Sequence, residues 1–281
     1  MRIQSVDLVF LLDLSGGMAE CIDSVKSGCC IMLNELIKAP DLTSWRFKVC
    51  GYRNHALNPE NWFVDNPFVS DLAAVEAQFS GVNMQAAGGC EEEAGSLLDA
   101  LFRLSKMEQT GDGDPECSSK WRARGRYGRT IFFITNSTFK DPMTIPEAAG
   151  GGLQDVKNAI TGAKISLWGF CPETDNYCML GGIVRSQLDF YVSPDTCPAL
   201  AGLGKGGEEW NAATQIASHA LLNLNQEIYR KLAFDVFREH AKARALDDDS
   251  FDRIHSAVNP QITEYIAREN DSEIRRIRLE R

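Results

Sequence analysis

"VDLVFLLDLSGGM", residues 6–18, runs from an apolar stretch into an acidic residue, Asp13, and then into the short sequence Leu-Ser-Gly-Gly. The near-continuous apolar run Val6–Asp13 is the pattern of a central strand covered on both faces, since a strand with one wet face would alternate. Short oxygen-bearing side chains at the carboxyl end of such a strand are the beginning of a site for a hard cation. The first question is whether the rest of the chain supplies the other ligands.

Outward from this strand, Cys21, Val25, Cys29 or Ile31, Met32 and Leu36 keep helical spacing over residues 18–38, and Pro40 ends the run. Trp45–Tyr52 alternates like a strand, and Trp62–Val64 is a second, short one. A helix is expected over 71–79 with Ser70 as its cap, and another over 91–104, where acids occupy the first turn. Residues 109–128 form a polar, glycine-rich loop. Arg129–Thr135 reads as a buried strand, 152–163 as a helix, Lys164–Phe170 as a strand and Leu188–Val192 as the last strand, with Cys171 and Cys178 flanking a turn. Strands alternating with helices of about a dozen residues predict an α/β fold: a Rossmann-like, doubly wound, mainly parallel sheet. Its sites lie outside the carboxyl ends of the strands, where the strand order reverses. Residues 13–17, 51–55, 88–91 and 136–138 all fall at such exits.

The chain has 281 residues with 29 basic and 39 acidic ones, a formal charge of −10. That balance argues against nucleic acid or an anionic membrane as the main partner. The apolar run Leu8–Leu12 is far shorter than a signal-peptide core or a membrane span, so the sequence reads as cytoplasmic. Nine cysteines occur without a CxxC pair, and Cys21, Cys29 and Cys50 are expected as small core residues in a reducing compartment. His55, His219, His240 and His255 are scattered, and neither a G-x-S-x-G elbow nor a P-loop is present.

Four segments in register carry a family resemblance: DLSGG at 13–17, GYRNH at 51–55, AGGCEEE at 87–93 and FFITNS at 132–137. In their order and separation the chain resembles the von Willebrand factor A (VWA) domain family over roughly residues 5–200, closest to its bacterial and alpha-kinase-associated branch. The resemblance implies a VWA fold and a metal-ion-dependent adhesion site. There, D-x-S-x-S in the first loop, a Thr or Asp in a later loop and an Asp at the fourth strand's exit hold Mg²⁺. One coordination position is left open for a carboxylate of the partner protein. Mg²⁺ takes oxygens in near-octahedral geometry at about 2.0–2.1 Å and keeps several waters.

Carried over, Asp13, Ser15 and Asn136 are the implied metal positions, but the set is degenerate. Gly17 stands where the family has a second Ser, Cys90 beside Glu91 where it has Thr or Asp, and Asn136 where it has Asp; Asn54 replaces the branch's other Asp. The resemblance thus implies a partner-binding face formed by Gly17, Arg53, His55, Cys90 and Glu91, with no cofactor required.

Two segments lie beyond these landmarks. KWRARGRYGR, residues 120–129, interleaves basic residues with Trp121 and Tyr127. Its arginines are expected to lie solvated or to pair with the protein's own carboxylates. Trp121 and Arg124 are also candidate partner contacts, on the expectation that this loop sits at the same edge of the sheet. From residue 206 a helical C-terminal extension is expected, with Ala217, Leu221, Leu224, Ile228 and Leu232 in one stripe, packing on the domain or serving as a partner-binding arm. The expected domains are therefore 1–205 (VWA-like) and 206–281 (helical extension).

The expected function is a non-catalytic protein-protein interaction module or scaffold subunit of a cytoplasmic multi-protein complex. By the resemblance, partners would be an AAA+ ATPase, a kinase or a phosphatase of a stress or defence operon. The alternatives are a Mg²⁺-dependent ligand receptor using Asp13, Ser15, Asn136 and Glu91, and an RNA-binding module using residues 120–129.

Overall fold

Ser5–Asp13 forms β1, and strands lie on both sides of it. Ser44–Tyr52 (β2) and Gly128–Ile134 (β4) flank it in parallel, Val6 standing opposite Trp45 on one side and Gly128 on the other. Outside these lie Phe63–Asp65 (β3), antiparallel to β2, then Ser166–Pro172 (β5) beside β4 and Ser186–Tyr191 (β6) beside β5. The order is β3-β2-β1-β4-β5-β6, mainly parallel, in a Rossmann-like α/β arrangement. This computed structural model describes residues 5–37, 42–82, 95–123, 127–148, 150–172, 174–183 and 186–191. Residues 206–281, the expected extension, and the expected domain boundary lie outside them.

Helices cover both faces, as the unbroken apolar run in β1 requires. Val9 and Leu11 join Ile131, Phe133 and Leu167 in one core with residues of Leu97–Lys106 (α3), Leu153–Gly162 (α4) and Asp175–Leu180 (α5). Phe10, one residue out of phase, points the other way. It meets the Phe47 and Phe132 rings at 6.2 and 6.1 Å, and Phe79 of Leu72–Gly81 (α2) at 5.2 Å. Ile22–Leu36 (α1) packs beside α2. Cys21, Cys29 and Cys50 are buried, as core residues should be.

Local differences from the sequence reading have physical causes. Asp71, not Ser70, caps α2: its carboxylate accepts from the Ala74 N–H at 2.9 Å, and a carboxylate at a helix N-terminus is also favoured by the macrodipole. The helix expected from residue 18 starts at Ile22, because Gly16–Met18 first turns as a 3₁₀ segment. The segment between Cys171 and Cys178 is no simple turn. β5 runs to Pro172, and Thr174 then caps the short α5, which contains Cys178.

Close approach explains Gly169 on β5. A Cβ there would overlap the Phe133 ring, which is itself stacked on Tyr177 at 6.1 Å and cannot withdraw. Gly169→Val should therefore cost about 1–3 kcal/mol, as overpacking does. Gly162→Ala, with open space around the added methyl, should not destabilise. Chemical denaturation of the two variants checks this, and equal midpoints would refute the packing argument.

Candidate functional site at the carboxyl edge of the sheet

The chain leaves β1 toward β2 on one side, while β4 lies on the other. The loops after β1 and β4 therefore diverge at the switch point, the place where α/β sheets form crevices. Asp13 ends β1 there, fully buried. Its Oδ1 accepts from the Ser15 N–H at 2.8 Å, and its Oδ2 accepts from Thr135 Oγ1 at 2.6 Å and Ser137 Oγ at 2.8 Å. The Thr135 hydroxyl also accepts from the Ser137 N–H at 3.1 Å, and Tyr177 donates its hydroxyl to the Ser137 carbonyl at 2.8 Å. Burial, with the Asp13 charge adding to it, pushes the Tyr52 phenol well above its usual range. Burial does the same to Tyr177. Both rings are neutral supports for the loops above them.

Asn136 acts between the loops. Its Nδ2 donates to the Gly17 carbonyl at 2.6 Å. Neither Ser15 nor Asn136 is seen to cap a backbone N–H with its side chain: the Ser15 side chain makes no cap bond, and Asn136 is a donor to a carbonyl. Ser15 Oγ is buried and has no hydrogen-bond partner among the described residues.

These atoms fit a magnesium ion poorly. A carboxylate offers about four lone-pair positions, and three on Asp13 are taken by N–H and O–H donors. Gly17 contributes no side-chain oxygen, and Asn136 turns its nitrogen toward Gly17. Ser15 Oγ and Asn136 Oδ1 are the buried side-chain oxygens of the cradle that make no hydrogen bond among the described residues, still short of the octahedral set that Mg²⁺ requires. Among the described residues no group of three or more His, Cys, Asp or Glu is placed to hold a metal ion. Cys90 and Glu91, the remaining candidate positions, lie outside the described residues, as does Arg124.

The second loop supplies a neighbouring polar patch. Arg53 is buried and donates from Nη1 to the Asn61 carbonyl at 3.1 Å. Asn54 Oδ1 accepts from the Ala56 N–H and from Lys140 Nζ, at 3.0 and 3.2 Å. His55 is half-buried, with its backbone N–H on Ser96 Oγ at 3.0 Å and its Nδ1 3.1 Å from Thr144 Oγ1. Thr144 donates its proton to Asp99 Oδ2, which leaves the Thr144 oxygen to accept from His55 Nδ1–H. The buried Asp99 carboxylate also takes the Thr144 and Ile145 N–H groups at 2.7 and 2.9 Å, which fixes the loop that holds the imidazole.

Gly17, Asp13, Ser15 and Asn136 are thus brought together, with Arg53 and His55 on the adjacent loop. Sequence reasoning passes over Thr135 and Ser137, although both stand in the quoted FFITNS. Hydroxyls directly after a buried strand, opposite a buried Asp, are the available signal.

The basic loop is not part of this site. Trp121 is fully buried, with its Nε1 donating to the Leu104 carbonyl at 2.9 Å, so it contacts neither partner nor base. Arg122 reaches Asp7 and the Val6 carbonyl near the start of β1, and Ser44 at the start of β2. The described residues of the segment, 120–123 and 127–129, therefore lie at the opposite edge of the sheet from Asp13, a correction to their expected place. The expectation that arginines pair with internal carboxylates holds for Arg122, whose guanidinium also covers the Tyr127 ring at 4.1 Å.

Among the described residues no helix is long and apolar enough to cross a membrane. No family model and no curated protein matches the chain. Among the solved structures similar to it are two of low identity. One is proximal thread matrix protein 1 from the mussel byssus, at 8% identity and TM-score 0.47, covering 76% of this chain and 48% of that one. The other is the pilus adhesin SpaC from Lactobacillus rhamnosus GG in its open conformation, at 12% identity and TM-score 0.45, covering 78% of this chain and 31% of that one. The chain spans about half the length of the first and about a third of the second.

Proposed function

We propose that the chain is a VWA-type protein-interaction module, non-catalytic and cytoplasmic, that serves as a scaffold subunit and engages its partners without a divalent ion. The observation that carries this reading is the closed hydrogen-bond set at Asp13: Ser15, Thr135 and Ser137 occupy the carboxylate with neutral donors while Asn136 faces Gly17. Its loops present a fixed polar surface that includes Gly17 and His55. The partners proposed are an AAA+ ATPase, a kinase or a phosphatase of the same operon.

Asp13→Asn is the discriminating variant. The new amide can donate to the Thr135 and Ser137 hydroxyls, which rotate to accept, while its oxygen keeps the Ser15 N–H; the shape persists and the charge is lost. Affinity purification of the wild-type chain and of Asp13→Asn from the native host, each in Mg²⁺ and in EDTA, should recover the same partner in all four. Loss of that partner in EDTA and with Asp13→Asn would instead establish the Mg²⁺-dependent receptor. The buried Ser15 Oγ and Asn136 Oδ1, neither of them hydrogen-bonded among the described residues, favour that second reading.

A further inference from the structure

Residues 17 and 136 suit each other in two independent ways. The Asn136 amide donates to the Gly17 carbonyl across a separation of 119 residues, and at 2.6 Å this bond is as short as the Thr135–Asp13 bond that also joins the β1 exit to the β4 exit. A Cβ at position 17 would stand 3.3 Å from both Nδ2 and Oδ1 of that amide, tighter than an ordinary contact. A side chain at 17 would therefore push the amide off the carbonyl. An aspartate at 136 would replace the donor with a charged acceptor facing that same carbonyl. Glycine at one position and an amide at the other form a matched pair.

We infer that Gly17 and Asn136 are a coupled latch in which a side-chain amide ties the two loops of the switch point together, taking the bridging role a divalent cation would otherwise hold. The inference deepens the proposed metal-independent module, and rests on it for its meaning but not for its test. With the latch closed, the shape of the surface is set by the chain itself and does not follow the concentration of Mg²⁺. The latch also accounts for two departures from the D-x-S-x-S and Asp pattern as one change: each makes room for, or use of, the other.

The test is a double-mutant cycle on the full chain, read by thermal unfolding in EDTA and in millimolar MgCl₂. Wild type should melt at the same temperature in both. Asn136→Ala and Gly17→Ala should each lower the midpoint by about 2–4 °C, the shift expected for the loss of one hydrogen bond in a domain of this size. The double variant should melt no lower than the worse single, because Asn136→Ala removes the amide that the added methyl of Gly17→Ala would strike. Asn136→Asp should fall at least as far as Asn136→Ala in EDTA. Gly16→Ala is the control and should leave the midpoint unchanged, since its added methyl meets nothing within 4 Å. Additive shifts in the cycle, or a wild-type midpoint that rises with MgCl₂, would overturn the latch. Neither result involves a partner, so the latch can fail while metal-independent binding stands, and the reverse.

Discussion

Asp7→Ala is expected to destabilise the protein by about 3–5 kcal/mol, the cost of removing one member of a buried ion pair and leaving the other charge behind. Here two charges are left. Asp7 is 0% exposed, and its carboxylate receives four bonds: Arg46 Nε and Nη2 at 3.0 and 2.8 Å, and Arg122 Nε and backbone N–H at 2.7 and 2.8 Å. Those four fill its lone-pair positions. Arg46 and Arg122 are 5% and 1% exposed, so neither guanidinium can turn to water once the acid is gone. Glu116, half-exposed and 3.4 Å from Arg122, is too far into solvent to take over. Urea denaturation checks the loss. A second variant carrying Asp7→Leu, Arg46→Met and Arg122→Leu together should recover most of it, because an apolar replacement of a whole buried triad is often neutral. If Asp7→Ala unfolds at the wild-type urea concentration, the cluster contributes nothing to stability.

Asp13→Ala, at the other end of the same strand, should cost about 2–3 kcal/mol for a different reason. No arginine or lysine pairs with Asp13 among the described residues; its partners are a backbone N–H and two hydroxyls. Truncation strands the Ser15 N–H, while the Thr135 hydroxyl has the Ser137 carbonyl at 3.4 Å as a poorer alternative. Asp13→Asn should stay within about 1 kcal/mol of wild type, because an amide can serve all three groups. The contrast between the two variants is the measurement. Equal, large losses for both would mean that the negative charge itself is needed, as it would be with a cation bound.

The fold was legible because β1, β4 and β5 are covered on both faces and so read as unbroken apolar runs. The ends of elements were less so: the 3₁₀ turn at Gly16–Met18 and the short α5 follow from local hydrogen bonds that periodicity does not carry. Trp45–Tyr52 could be read as a strand from its alternation, but not where its polar side faces. Arg46 and Lys48 turn inward to Asp7 and Asp65. An acid inside an otherwise apolar strand, as Asp7 is in VDLVFLLD, was the sign that cations would be drawn into the interior. At the site, Asp13, Ser15, Gly17 and Asn136 were legible as a group. Their bonding was not, since whether an amide presents nitrogen or oxygen depends on a neighbour 119 residues away.

The arginine cluster has a further consequence, in time rather than in energy. Arg122 and Asp7 are 115 residues apart, and Arg46 holds the Lys120 carbonyl across 74. Contacts of such separation carry a large closure entropy and form after the local helices and the β1–β2 pair, in company with the β1–β4 pairing, which is as distant in sequence. An interaction absent from the folding transition state leaves the rate of folding nearly unchanged and slows unfolding. The segment from Met107 to Ala123 is thus expected to work as a clasp on the sheet, doing less to hasten the native state's arrival than to prolong its lifetime.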